Sequence, residues 1–464
     1  MILSPRYFLS ILAPLLLSNP VLHAQDISPV PVPKASQLAW QDAELVAVFH
    51  YDLHVFDGEK YVQSKNRITP IPDYNIFNPE QLDTDQWVKS VKDMGAKIAI
   101  LTATHETGFA IYQSDVNPYS MKALKFQEGK GDIVRDFVES CRKHGIEPGI
   151  YIGIRWNSFM GVHDFKVQGD SEFSKNRQAY YNKMCEGMVE ELTSRYGELA
   201  IIWFDGGAHG PKQGGPDVQG IVERNQPNAL FYHNLDRADI RWGGSESGTV
   251  PYPSWGTYHT PSWFANRGDS INFRPIKHGD PDGQYYIPAM SDAPLRGYNG
   301  RHEWFWEPED EDHIYPLENL MNMYYNSVGH NSTLILGITP DDRGLVPDAD
   351  VQRLKEFGEE IHQRFDNPLI SAVPDKKGTL QSTSSKALKI NEVVLEENIE
   401  FGERVRKFVL EGKVNGKWVN LYEGTLIGHK HIAKIPEVEI KAVRLKVLES
   451  KGEVKLKSLK AFLN

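Results

Sequence analysis

Four stretches of this chain carry side chains able to hold a proton, give one up, or attack as a nucleophile. In residues 199–210, LAIIWFDGGAHG, an apolar run ends abruptly in Asp205 and two glycines. Phe49-His50-Tyr51-Asp52 closes an earlier apolar run, Thr104-His105-Glu106-Thr107 closes the next, and Glu246 sits in the Gly-rich run RWGGSESG at 241–248. Each has an ordinary reading as well: Asp-Gly is turn chemistry, a loop Glu is commonly just solvated, and a lone His is commonly structural. Several such sites gathered on one rim are harder to explain that way.

A common rim follows if the runs are parallel strands, because the loops after their carboxyl ends share one face. The spacing predicts strands at 45–49, 97–102, 149–154, 199–205, 229–233, 284–289 and 333–338. Helices are predicted between them at 81–94, 132–144, with Asp132 as N-cap and Gly145 as stop, 171–195 and 348–365. Repeated strand and helix units over this length point to an α/β protein, a (β/α)8-like TIM barrel over residues 25–368. A doubly wound sheet is the second choice, and no Gly-rich phosphate fingerprint follows the first strand. From residue 369 the pattern turns to short alternating segments between Gly and Asn turns, predicting a C-terminal β-sandwich over 369–464.

The chain has 464 residues and a formal net charge of −11, which disfavours nucleic acid and anionic membrane surfaces and suits a neutral small substrate. Residues 1–24 combine Arg6, an apolar stretch and Val21-Leu22-His23-Ala24, the pattern of a cleaved secretory signal. Export to the periplasm or the exterior is therefore expected, with a mature start near Gln25 and no membrane insertion. Cys141 and Cys185 fall on the apolar faces of predicted helices and read as core residues; whether they pair is left open. No metal-ligand spacing occurs and no cofactor is expected. Asn331-Ser-Thr matches a glycosylation acceptor, but its place beside the last predicted strand favours a structural role.

Taken in order, NPEQLDTDQW at 78–87, LTATH at 101–105, GKGDIV at 129–134, GIY at 149–151, WFDG at 203–206, RHEWF at 301–305, DDRGL at 341–345 and LKEFG at 354–358 resemble glycoside hydrolase family 29, the α-L-fucosidases. The tail segment GTLIGHK at 424–430 is similar to that family's C-terminal sandwich. The likeness is nearest to the subgroup selective for branched fucosylated oligosaccharides. It implies a retaining exo-glycosidase acting on the non-reducing end of an oligosaccharide or polysaccharide, with Asp205 as nucleophile and Glu246 as acid/base. Such a pair must have its proton affinities set apart and stand about 5–5.5 Å apart. By the same resemblance His50, Glu59, His105, Tyr151, Trp156, Arg301 and Trp304 are substrate contacts.

The pattern is broken in places. Lys60 follows Glu59 where the family has Trp, Glu106 and Thr107 replace a second His and an Asp, and Met290 replaces a late Glu. Lys60 and Glu106 are thus expected to recognise a sugar more polar than L-fucose, and exo-α-L-galactosidase activity is the alternative. A non-catalytic carbohydrate-binding protein is the reading from a different class.

Overall fold

A computed structural model describes residues 30–266, 273–301 and 304–464; the expected signal segment lies outside them. Eight parallel strands form one sheet: β1 (Leu45–Phe49), β2 (Ile98–Thr104), β3 (Glu147–Ile152), β4 (Ile201–Ala208), β5 (Leu230–Asn234), β6 (Arg241–Trp242), β7 (Ala289–Pro294) and β8 (Ser332–Ile338). Their order is β5-β4-β3-β2-β1-β8-β7-β6, a nearly closed barrel whose seam lies between β5 and β6.

Side chains alternate along each strand between two cores, as the two-residue period of a strand demands. Val46 and Val48, Ile98 and Ile100, Ile201 and Trp203, Leu230 and Tyr232, and Ile335 pack inside the barrel. Their neighbours Ala47, Phe49, Ala99, Leu101, Ile202, Phe204, Phe231, Leu334 and Leu336 pack outward against the helices. The same parity carries His50 and Asp205 to the interior side at the mouth. A helix not foreseen from the sequence, α1 (Ala35–Ala43), places fully buried Trp40 in the inner core.

The outer helices obey the capping signals. Asp83 accepts from Gln86 N–H at the start of α2 (Thr84–Met94), Asp132 from Arg135 N–H at the start of α3 (Ile133–His144), and Gly95 and Gly145 end them in left-handed conformations. Ser171 caps α4 (Glu172–Ser194), and α5 (Asp348–Phe365) has the predicted bounds. Cys141 and Cys185 are free and buried.

The predicted strand at 284–289 is displaced. Tyr285–Tyr286 only pairs in a short hairpin with Thr257–Tyr258, and the barrel strand is β7, whose Ser291 and Asp292 make it too polar for a search by apolar runs. β6 lies in what reads as a Gly-rich loop.

The C-terminal domain is an antiparallel sheet of β9 (Ile370–Ala372), β10 (Gln381–Glu397), β11 (Val405–Val414), β12 (Lys417–Gly424), β13 (His431–Ser450) and β14 (Leu456–Phe462), ordered β9-β14-β10-β13-β11-β12. Register shifts interrupt the two long strands β10 and β13, and such bulges bend a sheet around one core. Asn331 locks this domain to the barrel. Its buried amide donates to Glu403 Oε1 at 2.6 Å and to Ser254 O at 3.0 Å, and its carbonyl accepts from His429 N–H at 2.7 Å.

Candidate active site

The barrel mouth holds a cavity of about 530 Å³ lined by His50, Tyr61, Gln63, Arg67, His105, Glu106, Tyr151, Trp203, Asp205, Glu246, Asp292 and Trp304, with Val48 beneath. A second hollow of about 570 Å³ adjoins it and shares Arg67, Trp203, Asp205, Glu246 and Asp292. Asp205 and Glu246 therefore open onto common space.

Asp205 is carried by β4, two residues beyond the inward Trp203. Its Oδ2 accepts from the Tyr151 hydroxyl at 3.3 Å. Enclosure by the cavity walls and the nearby charge of Glu246 raise its proton affinity above the ordinary carboxylate range, with Arg67 and Arg155 opposing. Glu246 reaches the cavity from a loop, and Trp304 Nε1 donates to its Oε2 at 3.4 Å. Trp304 in turn packs 4.9 Å from the His50 ring and against Gly337 of β8, where an added Cβ would meet the indole at 2.5 Å.

The two histidines form a directed chain. Glu106 N–H donates to His105 Nδ1 at 2.9 Å, and His105 Nε2 lies 3.3 Å from His50 Nδ1. Burial lowers the His50 pKa to about 3 and drives His105 well below its usual value, so both rings are neutral. With Nδ1 of His105 accepting, its proton sits on Nε2 and is donated to His50, whose own proton must then be on Nε2. That buried Nε2 has no hydrogen-bond partner among the described residues and is left for a ligand oxygen. Tyr151 stacks on His105 at 5.0 Å and holds the pair in place.

Glu106, next to His105 in the chain, is buried and lines the same cavity. Its Oε1 takes Arg67 Nε at 2.6 Å and its Oε2 takes the Tyr61 hydroxyl. Burial raises its proton affinity, and Arg67 pulls the other way. The guanidinium of Arg67 lies over the Trp156 ring at 5.0 Å.

Several expected contacts are not on the cavity wall. Glu59 and Lys60 are exposed, and Glu59 reaches only Lys65, 3.7 Å away. The reason lies in the following residue: Tyr61 N–H is held by Glu307 Oε1 at 2.8 Å, which turns Tyr61, Gln63 and Arg67 inward and leaves 59–60 outside. Arg301 serves that anchor, pairing with Glu307 at 2.9 Å and Asp310 at 3.3 Å. Trp156 does not line the cavity but backs Arg67. Hence Lys60 cannot act as a sugar contact from its observed place, whereas Glu106 can.

Tyr61, Gln63, Arg67, Trp203 and Asp292 were not anticipated as site residues. Asp292 had a usable signal, since it stands two residues from inward Met290 on one strand. Arg67 had none, because it comes from a loop with a single helical turn, Gln63–Asn66.

Comparison with known proteins bears on the same region. Residues 39–363 match the family model described as alpha-L-fucosidase. The chain is 26% identical to alpha-L-fucosidase 1 of Arabidopsis thaliana, across 95% of this chain and 90% of that protein. It is 56% identical to a Bacteroides thetaiotaomicron protein provisionally described as an alpha-L-fucosidase, whose crystal structure superposes with a TM-score of 0.91 over 94% of this chain and 100% of the other. A glycoside hydrolase 29 family member from an unknown rumen bacterium is 28% identical, with a TM-score of 0.77 over 94% of this chain and 78% of that one. The chain belongs to the alpha-L-fucosidase family, glycoside hydrolase family 29, and is a glycoside hydrolase of that type.

Proposed function

We propose that this protein is an exported, retaining exo-glycosidase that removes terminal α-L-fucosyl residues from glycans, with Asp205 as nucleophile and Glu246 as acid/base. The observation that carries this reading is that both carboxylates open onto one cavity rimmed by the His50–His105 pair and by Trp304. In the first step an Asp205 oxygen bonds to the anomeric carbon as the glycosidic C–O bond breaks, and Glu246 gives its proton to the departing oxygen. The product is a glycosyl ester on Asp205. In the second step Glu246, now a carboxylate, takes a proton from water whose oxygen attacks the anomeric carbon and frees Asp205.

Other residues bind rather than react. The His50 Nε2–H donates to a sugar hydroxyl, Glu106 with Arg67 and Tyr61 forms a polar wall, and the Trp304 face suits the apolar C–H surface of the ring. No nucleic acid, metal or cofactor enters this scheme. Preference for branched fucosylated oligosaccharides is part of the proposal, as is export with cleavage near Gln25; none of the described helices is long and apolar enough to cross a membrane.

Hydrolysis of a defined α-L-fucoside followed by NMR tests it: retention should give the α anomer first, and initial release of the β anomer would rule out the double displacement. Exo-α-L-galactosidase is the second reading, favoured by the Glu106–Arg67–Tyr61 cluster on the cavity wall. Aryl α-L-fucoside and α-L-galactoside assayed side by side decide between them. Turnover of neither would overturn both readings of the sugar.

A further inference from the structure

The loop that carries Glu246 leaves the barrel ladder and comes back to it within a few residues. Trp242 is the last residue of β6 paired with β7, opposite Met290. The chain then passes Gly243 and Gly244, presents Glu246, and rejoins β7 where Gly248 N–H donates to the backbone carbonyl of Asp292 at 2.8 Å. The side chain of the same Asp292 accepts from Trp242 Nε1 at 3.0 Å. One residue thus binds the departing and the returning limb of the loop.

Two further facts bear on its role. Asp292 is 7% exposed, and it follows the inward parity of Met290, so that its carboxyl lies at the wall of both hollows beside Glu246 and Asp205. β6, which leads into the loop, is two residues long and lies at the seam, paired only on its β7 side, and the loop's own fixings are side-chain contacts: Ser247 Oγ meets Ser245 and Thr249 at 2.9 Å, and Trp304 reaches Glu246. Gly244 and Gly248 have φ of +85° and +68°, so the backbone conformation is left-handed at both hinges. A carboxylate on such a loop needs an external fixture if it is to meet a glycosidic oxygen in line, because small misplacements of an acid cost large factors in rate.

We propose that Asp292 is a positioning residue for the acid/base, a clamp that sets the place of Glu246 by holding Trp242 with its side chain and Gly248 with its backbone. The clamp rests on the reading of Glu246 as the general acid. Burial, the charge of Glu246 and that of Asp205 hold Asp292 well above the usual carboxylate range, so it can occupy this place as a neutral acid without crowding the cavity with a third negative charge. Among the described residues, Arg67 and Arg155 are the cations facing the same hollow.

The test exploits the dependence of acid catalysis on the leaving group. A sugar alcohol must be protonated as it departs, whereas 2-chloro-4-nitrophenolate leaves unaided. Asp292→Ala and Trp242→Phe, checked for folding by thermal melts, should lose about 30-fold or more in kcat/KM on a fucosylated disaccharide and several-fold at most on the aryl glycoside. Asp292→Asn, whose amide oxygen still accepts from Trp242, should recover most of the loss. Glu246→Gln is the control and should show the same split in stronger form. Equal losses on both substrates in Asp292→Ala, or an Asn variant as poor as the Ala variant, overturn the clamp while the control keeps the acid assignment. No split in Glu246→Gln overturns both.

Discussion

Two groups of carboxyls in this molecule share a raised proton affinity and differ in purpose. At the barrel mouth, Asp205, open to the cavity, and buried Asp292 are drawn above the ordinary carboxylate range. Where the C-terminal sheet meets the barrel, burial does the same to Glu397, pushed to about 7, and to Glu403. The partners separate them. Glu403 accepts from Gly256 N–H with both oxygens, at 3.0 and 2.9 Å, and from Asn331; Glu397 Oε1 accepts from Arg404 N–H at 2.7 Å and Val405 N–H at 3.1 Å. Asp205 instead faces the open hollow at the barrel mouth. A perturbed proton affinity alone does not mark a catalytic group; what stands in front of its oxygens does.

Exchanging the charge in each group should therefore have opposite kinds of consequence. Asp205→Asn is expected to reduce kcat on the order of 10⁴-fold with little change in melting temperature, read by steady-state hydrolysis of an aryl α-L-fucoside. Glu246→Gln should cost about 10²- to 10³-fold on glycans with poor leaving groups and much less on activated aryl glycosides. If either variant lost its fold rather than its rate, the division between the two groups would fail.

The interface group should answer in stability. Glu397 binds its proton more tightly folded, near 7, than in the unfolded chain, near 4.5. Its contribution is thus fully present below about pH 4.5 and is lost as pH rises through about 7. Glu397→Gln cannot titrate, so the stability difference between pH 5 and pH 8, measured by urea unfolding, should shrink by about 1–3 kcal/mol relative to the parent. Turnover should be unaltered, and an unchanged pH slope would count against the interface assignment.

How much of this could be read from the chain follows from what each strand must bury. β1, β2, β4, β5 and β8 are apolar on both faces because helices cover one side and the barrel interior the other, so their runs stand out and Asp205 is found at the end of one. β7 puts Ser291 and Asp292 among its six residues, so the more apolar run at 284–289 stands out in its place. A two-residue β6 offers no periodicity at all. The cavity wall built from Tyr61, Gln63 and Arg67 depends on a distant anchor, Glu307, that no local pattern reveals; the same anchor explains why neighbouring Glu59 and Lys60 were misplaced. Where a candidate closes an apolar run, as with His50, His105 and Asp205, its place at a strand end brings it to the cavity; Tyr151 follows only from the family resemblance.

The smallest expected effect probes the line between the two groups most finely. Arg67 is a cation that bears on both the polar wall and the proposed nucleophile: it pairs with Glu106 and lowers the proton affinity of Asp205 through space. Neutralising it in Arg67→Met should shift Asp205 further upward, because burial and Glu246 would then be opposed by Arg155 and the Gly206 backbone N–H without Arg67. Attack requires the ionised carboxylate, so the acid limb of the kcat/KM profile should move to higher pH, with a loss of about 10-fold at mildly acidic pH that narrows as the pH is raised. A loss independent of pH would assign Arg67 to sugar binding alone. The Glu106→Gln variant separates the two roles, since it leaves the guanidinium charge in place and alters only the wall: its effect should fall on KM, and on the ratio of fucoside to galactoside turnover, without displacing that limb.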